Sequence, residues 1–312
     1  MPKKLPKSPA DYIQPLNING LEGRMLHIPA PKGKKTDILF VYGHHSSLER
    51  WWGLMQVFNK YGSVTMPDLP GFGGMDSFYK IGKKPTIDNM ADYLAAFIKL
   101  RYRNRKVVIA GMSFGFIVTT RMLQRYPELT KNVTLLVSVV GFAHKDDFTF
   151  SRSLRTSYLL AGHLLSYRPF AFFFRHVALQ PRVLRAIYAR TPNAKHKFAL
   201  AKDKAEFDFY MDVEVGLWHD NDVRTWGFTT VEFLNFDNCS HGRVDLPLWH
   251  VGAKADHFFD NNLVEQHMRI IFKDFHKTEV DMKAHAPSVI ADEKDAAPFI
   301  PNKLRNVLAK LG

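Results

Sequence analysis

The sequence predicts an α/β chain: a mostly parallel eight-stranded sheet flanked by helices and interrupted by one helical insertion. Three observations predict it. Short apolar, β-branched runs alternate with amphipathic helical stretches up to about residue 143, the rhythm of a parallel sheet covered by helices. Over 144–245 that rhythm stops, and the chain becomes aromatic-rich and helical by pattern. From 246 the alternation resumes and runs to the end. We therefore assign 1–143 to the first part of one core domain, 144–245 to the insertion and 246–312 to the completion of the core.

The elements follow in order. LNINGLEGRMLHIP (16–29) reads as an opening antiparallel pair, DILFVYG (37–43) as a buried strand and LERWWGLMQVFNKYG (48–62) as a helix. SVTMPDLPG (63–71) is a strand running into a Pro/Gly turn. TIDNMADYLAAFIKL (86–100) has a Thr cap followed by helical spacing. KVVIAG (106–111), a helix over 116–129 and VTLLVSVVGF (133–142) complete the first half. After the insertion come LPLWHVG (246–252), a helix over NNLVEQHMRIIFKD, a strand over HKTEVDM (276–282) and a closing helix over NKLRNVLAKL.

Composition excludes several classes. Hydrophobic residues make up 46% of the 312 and charged ones 23%, the balance of a globular chain with a core. The opening MPKKLPKSPADYIQPL carries charge with no apolar run behind it, so neither a secretory signal nor an anchor is read there and a cytoplasmic location is expected. YLLAGHLLSYRPFAFFF (158–174) is the most apolar stretch, but His163, Arg168 and Pro169 interrupt it too much for a bilayer span. The lone Cys239 can form neither an internal disulfide nor a paired-cysteine zinc site, and is read as a half-buried small residue. The formal charge of +13 is partly terminal or in loops, and RYRNRK (101–106) ends a helix, where cations suit the dipole. No module with an aromatic and basic ladder is present, so no nucleic-acid partner is expected.

The chemistry-bearing signal is Gly111-Met112-Ser113-Phe114-Gly115, placed directly between strand KVVIA and a helix. That is the context of a nucleophile elbow, in which flanking glycines let the chain double back and hold the serine hydroxyl at the carboxyl edge of the sheet. Alone, G-x-S-x-G is also compatible with an ordinary glycine turn.

Four features in one order carry a resemblance to the α/β-hydrolase superfamily over nearly the whole chain: YGHH after the strand at 37–43, DLPGFG at 68–73, GMSFG, and the pair GAKADHFFD and AHAPS near the end. The resemblance implies a Ser-acid-His triad of Ser113, Asp256 and His285. His285 would take the serine proton and Asp256 would fix the imidazole tautomer and stabilise its cation. It also implies an oxyanion hole of the backbone N–H groups of His44 and Phe114. Tyr42, His45, Met112 and Phe116 are expected to line the substrate pocket. Tyr42 departs from the pattern, standing where most members carry histidine, and Phe116 occupies a position usually held by a small residue.

Other assignments compete. Asp260, or Asp146 or Asp147 after the earlier strand, could supply the acid. His44 and His45 could suggest a metal, but adjacent histidines do not share a strand face, and pocket lining is preferred. The glycines of PGFGG lack the lysine of a phosphate loop and the spacing of a dinucleotide site, and read as turn glycines. Neither metal nor organic cofactor is expected.

The family pattern implies that the insertion is a helical cap deciding which acyl and leaving groups fit. Residues 151–200 hold nine Lys or Arg and no Asp or Glu, whereas 201–245 hold four basic and ten acidic residues. Mutual packing of the two halves is the simpler explanation. The sharper one is that Arg152, Arg155, Arg168 and Arg175, interleaved with aromatic and aliphatic residues, meet an anionic membrane surface or an amphipathic or anionic acyl substrate. The leading expectation is hydrolysis of a carboxylic ester through an acyl-enzyme on Ser113. Carbon–carbon bond hydrolysis, amidase or peptidase activity, and a non-catalytic binding protein on the same fold are the rivals. The sequence leaves the oligomeric state open.

Overall fold

In a computed structural model of the chain, residues 8–190, 203–254, 256–281 and 293–311 are described. Eight strands form one sheet in the order β1-β2-β4-β3-β5-β6-β7-β8. They are β1 (Ile13–Ile18), β2 (Leu21–Ile28), β3 (Thr36–Val41), β4 (Gly62–Pro67), β5 (Val107–Met112), β6 (Val133–Val139), β7 (Leu248–Ala253) and β8 (Phe275–Val280). β2 pairs antiparallel with β1 and with β4, and every other pairing is parallel.

The central strands explain their own positions. β3 lies between β4 and β5, with Ile38 opposite both Val64 and Val108. Every residue of β4 and β5 is buried, as their unbroken apolar runs require in a parallel sheet covered on both faces. Side chains such as Ile38, Phe40 and Val108 are fully enclosed, each contributing roughly 1.5–3 kcal/mol of apolar burial.

Helices flank this sheet in two groups. α2 (Ile87–Arg101) packs on α3 (Phe114–Arg125), and Arg121 Nε bonds Asp88 Oδ1 at 2.6 Å. The Thr86 hydroxyl accepts the Asn89 amide at 3.1 Å, the cap expected for α2. α3 begins directly after Ser113, two residues before the sequence pattern predicts. It stops at Arg125 because Pro127 disfavours helix at the residue before it. In the other group, α1 (Trp52–Asn59) packs on α10 (Glu293–Ala296), and α11 (Asn302–Leu311) closes the chain, its Leu311 carbonyl accepting from Thr36 Oγ1 at 2.7 Å. α9 (Asn261–Ile271) links β7 to β8.

Between β6 and β7 lies the insertion: α4 (Arg152–Ser166), α5 (Arg168–Phe173), a π-helical turn over Phe174–Ala178, α6 (Pro181–Arg190), α7 (Lys204–Asp220) and α8 (Val223–Asn235). α4 and α8 cross at backbone contact. A Cβ on Gly162 would stand 2.8 Å from the Gly227 carbonyl oxygen, so neither position accommodates a side chain without moving a helix. No helix among the described residues is long and apolar enough to cross a membrane.

Candidate active site

Ser113 is one of four non-glycine residues with positive φ among the described residues. With φ 47° and ψ −117°, it holds a left-handed conformation that costs a non-glycine residue about 1–3 kcal/mol. The surroundings enforce it. The Ser113 amide donates to the Val139 carbonyl at 3.0 Å, and its carbonyl accepts the Phe116 amide at 3.0 Å. A Cβ on Gly115 would fall 2.2 Å from the Val41 carbonyl oxygen, and one on Gly111 would fall 2.7 Å from Phe116 Cα. Both glycines are therefore required for β5, the turn and α3 to pack against the end of β3. As the residue before α3, Ser113 makes no capping bond with its side chain, and the Phe114 amide opens the helix where no intrahelical acceptor exists.

The segment after β3 runs beside this turn, where a Cβ on Gly43 would stand 3.4 Å from Ser113 Cβ. Its position is held from below by Tyr42. The Tyr42 hydroxyl bonds Asp68 Oδ1 at 2.9 Å, and the buried Asp68 carboxylate also accepts Arg24 Nε at 3.1 Å. Burial pushes the Asp68 carboxyl up, whereas the Arg24 charge and the Tyr42 donor pull it down. The Gly73 φ of 60° carries the DLPGFG turn closely around this carboxylate.

The acid candidates separate by what they bond. Asp256 Oδ1, in the loop after β7, accepts the amides of Phe258 (2.8 Å) and Phe259 (3.3 Å), a tight turn that orients the carboxylate. Asp260 caps α9 by accepting the amides of Asn262 (2.8 Å) and Leu263 (3.3 Å). Asp147 is wholly buried. One of its oxygens accepts the Ala143 and His144 amides at 2.8 and 2.9 Å, and the other bonds His267 Nδ1. Asp146 is exposed, 3.5 Å from His144 Nδ1. His285 lies outside the described residues.

Residues 38–213, more than half of the chain, match a family model described as the alpha/beta hydrolase fold. The chain belongs to the α/β-hydrolase family. The same fold recurs in an esterase from Thermogutta terrifontis, with TM-score 0.64 and 14% identity over 96% of this chain and 99% of that one. A hydrolase from Oleispira antarctica is similar at TM-score 0.66 and 12% identity, over 91% and 93% of the two chains. The enol-lactonase from Burkholderia xenovorans LB400 gives 0.62 and 11%, over 95% and 97%. In sequence, the protein ABHD8 of Bos taurus is 30% identical over 112 residues, which span 35% of this chain and 26% of that protein.

Within this α/β-hydrolase, three residues expected to line the pocket are packed inside the core. Tyr42 is turned into the Asp68 network, because its hydroxyl also accepts the Leu69 amide at 2.7 Å. Phe116 is wedged against Gly141 and lies 6.1 Å from the ring of Phe272, filling space that a Cβ at position 141 would need. Met112 is likewise enclosed. His45, at φ 54°, is buried with Nδ1 3.0 Å from Asn221 Nδ2 and its ring 4.2 Å from Trp218.

The residues that sequence reasoning missed belong to the insertion. Thr229 Oγ1 donates to the Thr225 carbonyl at 2.7 Å, so its 2.8 Å contact with His44 requires the imidazole to donate from Nε2. Burial among Phe72, Phe114, Trp226 and Phe233 pushes His44 down to about 3, so the ring stays neutral. Asn221 Oδ1 accepts the Gly73 amide at 2.7 Å while Nδ2 reaches His45, bridging two loops from one side chain. The two histidines therefore point to different partners in the insertion. No local signal marks Asn221 or Thr229, since their partners are 148 and 185 residues away. Cys239 is half-buried, and burial followed by the nearby Asp237 and Asp147 charges pushes its thiol up to about 12, leaving little thiolate.

Proposed function

We propose that the protein is a serine hydrolase that cleaves a carboxylic ester through an acyl-enzyme on Ser113. The observation that carries this reading is the positive-φ Ser113 backbone in a glycine-flanked turn between β5 and α3, the strand–turn–helix geometry of a nucleophile elbow. In this reading Ser113 Oγ attacks the ester carbonyl while His285 takes its proton. The N–H groups of His44 and Phe114 receive the negative oxygen. The tetrahedral intermediate collapses, the alcohol leaves with the proton from His285, and a water activated by the same ring then hydrolyses the acyl-enzyme to the carboxylic acid.

Asp256 is the favoured acid by its place in the loop after β7, whereas Asp147 is wholly buried against His267 and two backbone amides and Asp260 caps α9. The aromatic group around the elbow supports an apolar acyl portion. Phe142 stacks on Phe259 at 4.7 Å and meets Phe148 at 5.0 Å, while Phe233 lies 6.1 Å from Phe114. The inserted helices act as a cap, since Thr229 and Asn221 grip the loop that carries His44. The test is turnover of nitrophenyl esters of increasing chain length by the wild type, Ser113→Ala and His285→Ala. Hydrolysis that both substitutions abolish is expected, and wild-type turnover that survives in Ser113→Ala would refute the reading.

A further inference from the structure

The insertion carries an exposed surface that the proposed chemistry does not use. Nine of the thirteen large hydrophobic residues exposed among the described residues lie between Leu154 and Val183, in a segment forming only a tenth of the chain. Phe172 is 66% exposed, Phe173 64% and Leu160 60%. On α4, Leu160 and Leu164 recur at i and i+4, and the exposed Tyr167 follows directly after the helix. From α5 into the π-helical turn, Phe170, Phe173 and Val177 form a stripe, with Arg168, Phe172 and Arg175 beside it. An exposed apolar surface of this kind on a globular protein marks an interaction site.

Charge selects the partner. From 151 to 190 the chain contains seven Arg and no Asp or Glu. The acidic α7 does neutralise part of this segment, since Arg185 of α6 pairs with Asp208 at 3.4 Å and with Asp212. That pairing involves α6; Arg155 of α4 turns inward to the Leu234 carbonyl at 2.6 Å, whereas Arg152, Arg168 and Arg175 stay exposed near rings and aliphatic chains. Aromatic rings, Leu and Val beside Arg match the interface of an anionic bilayer, where apolar groups enter the acyl boundary and guanidinium groups meet phosphates. Nucleic acid would leave Leu160, Leu164 and Val177 without a complementary surface.

We infer that the outer face of α4 and α5 docks on an anionic lipid bilayer. The inner face of α4 meets α8 at the Gly162–Gly227 crossing, and α8 carries Thr229 and Phe233, which touch His44 and Phe114. The docked bilayer thus lies two helices, α4 and α8, from the oxyanion loop. Only this last consequence rests on the ester-hydrolase reading.

Flotation with phosphatidylcholine vesicles, with and without phosphatidylglycerol, at low and high salt tests the inference. Binding is expected only with phosphatidylglycerol, weakened by salt. It should fall at least about tenfold in Phe172→Ser/Phe173→Ser and in Arg168→Glu/Arg175→Glu, two surface changes whose folding is checked by thermal melting. Ser113→Ala should float like the wild type, which separates failure of the chemistry from failure of the docking. Failure to float, equal binding to neutral vesicles, or unchanged binding by the Phe variant would overturn the inference. So would a dimer that the Phe variant splits, which assigns the surface to a second copy, or binding to polyglutamate without binding to vesicles, which assigns it to an acidic protein.

Discussion

Tyr42 and Asp68, at the ends of neighbouring strands, are joined by a 2.9 Å hydrogen bond inside the core, and the same tyrosine oxygen accepts the Leu69 amide at 2.7 Å. The bond ties the exit of β3 to the turn after β4, and the chain passes from Tyr42 directly into Gly43 and His44. Tyr42→Phe leaves a buried carboxylate oxygen and a buried amide short of a partner, at a cost of about 2–4 kcal/mol. A lower urea midpoint with an unchanged slope is expected, together with roughly tenfold slower ester turnover at unchanged KM as the oxyanion loop loosens.

The strain at Ser113 makes a second prediction. Ser113→Ala removes the hydroxyl but keeps a Cβ at φ 47°, whereas Ser113→Gly removes both. Both variants should lose ester turnover, and the glycine variant should be more stable than the alanine variant by about 1 kcal/mol, despite its more flexible unfolded chain. Equal melting temperatures for the two would contradict the view that the elbow is held under strain.

Exchanging carboxylates distinguishes the acid from its competitors. Asp256→Asn still accepts the Phe258 amide, so stability should change little while turnover falls about 10⁴-fold through the wrong histidine tautomer. Asp147→Asn should lose about 2–4 kcal/mol, because an amide cannot accept from Ala143, His144 and His267 together, and its remaining turnover should stay near the wild type. Denaturation and initial rates on both variants decide the assignment, and the reverse pattern would move the acid to Asp147.

Acid should weaken the fold through its enclosed histidines. Burial lowers His44 and His250 from 6.5 to about 3, so the folded state keeps them neutral while the unfolded chain protonates below about pH 6.5. Protons then favour unfolding, and the stability present above pH 6.5 is lost as pH falls toward 3. Each histidine contributes a slope of up to about 1.4 kcal/mol per pH unit in that window. His250→Gln keeps a partner for Ser138, 2.9 Å from His250 Nδ1, and should flatten the pH dependence of unfolding by up to that amount. An unchanged slope would show that His250 titrates normally.

The core was legible because its signals are local. The buried runs of β3, β5 and β7, the Thr86 cap and the glycines at 111 and 115 each answer to their neighbours in sequence, and the strands appear within a few residues of where periodicity places them. The start of α3 was misplaced because the helix begins inside the glycine motif, where no periodicity yet exists. Tyr42 and Phe116 were misread because family position predicts where a backbone runs, not which way a bulky side chain turns. Tyr42 found a buried acceptor at Asp68 and Phe116 the space beside Gly141. Asn221 and Thr229 were invisible, since an amide in the link between two inserted helices and a hydroxyl on the second acquire meaning only when the insertion folds back over His44 and His45.

Nucleophilicity at Ser113 is tested most directly by treating the protein with a fluorophosphonate and locating the adduct by peptide mass spectrometry. One phosphonyl group on the peptide containing Ser113, absent from Ser113→Ala and suppressed in His285→Ala, is the predicted result. No adduct on the folded protein, or an adduct at another residue that persists in Ser113→Ala, would contradict the account.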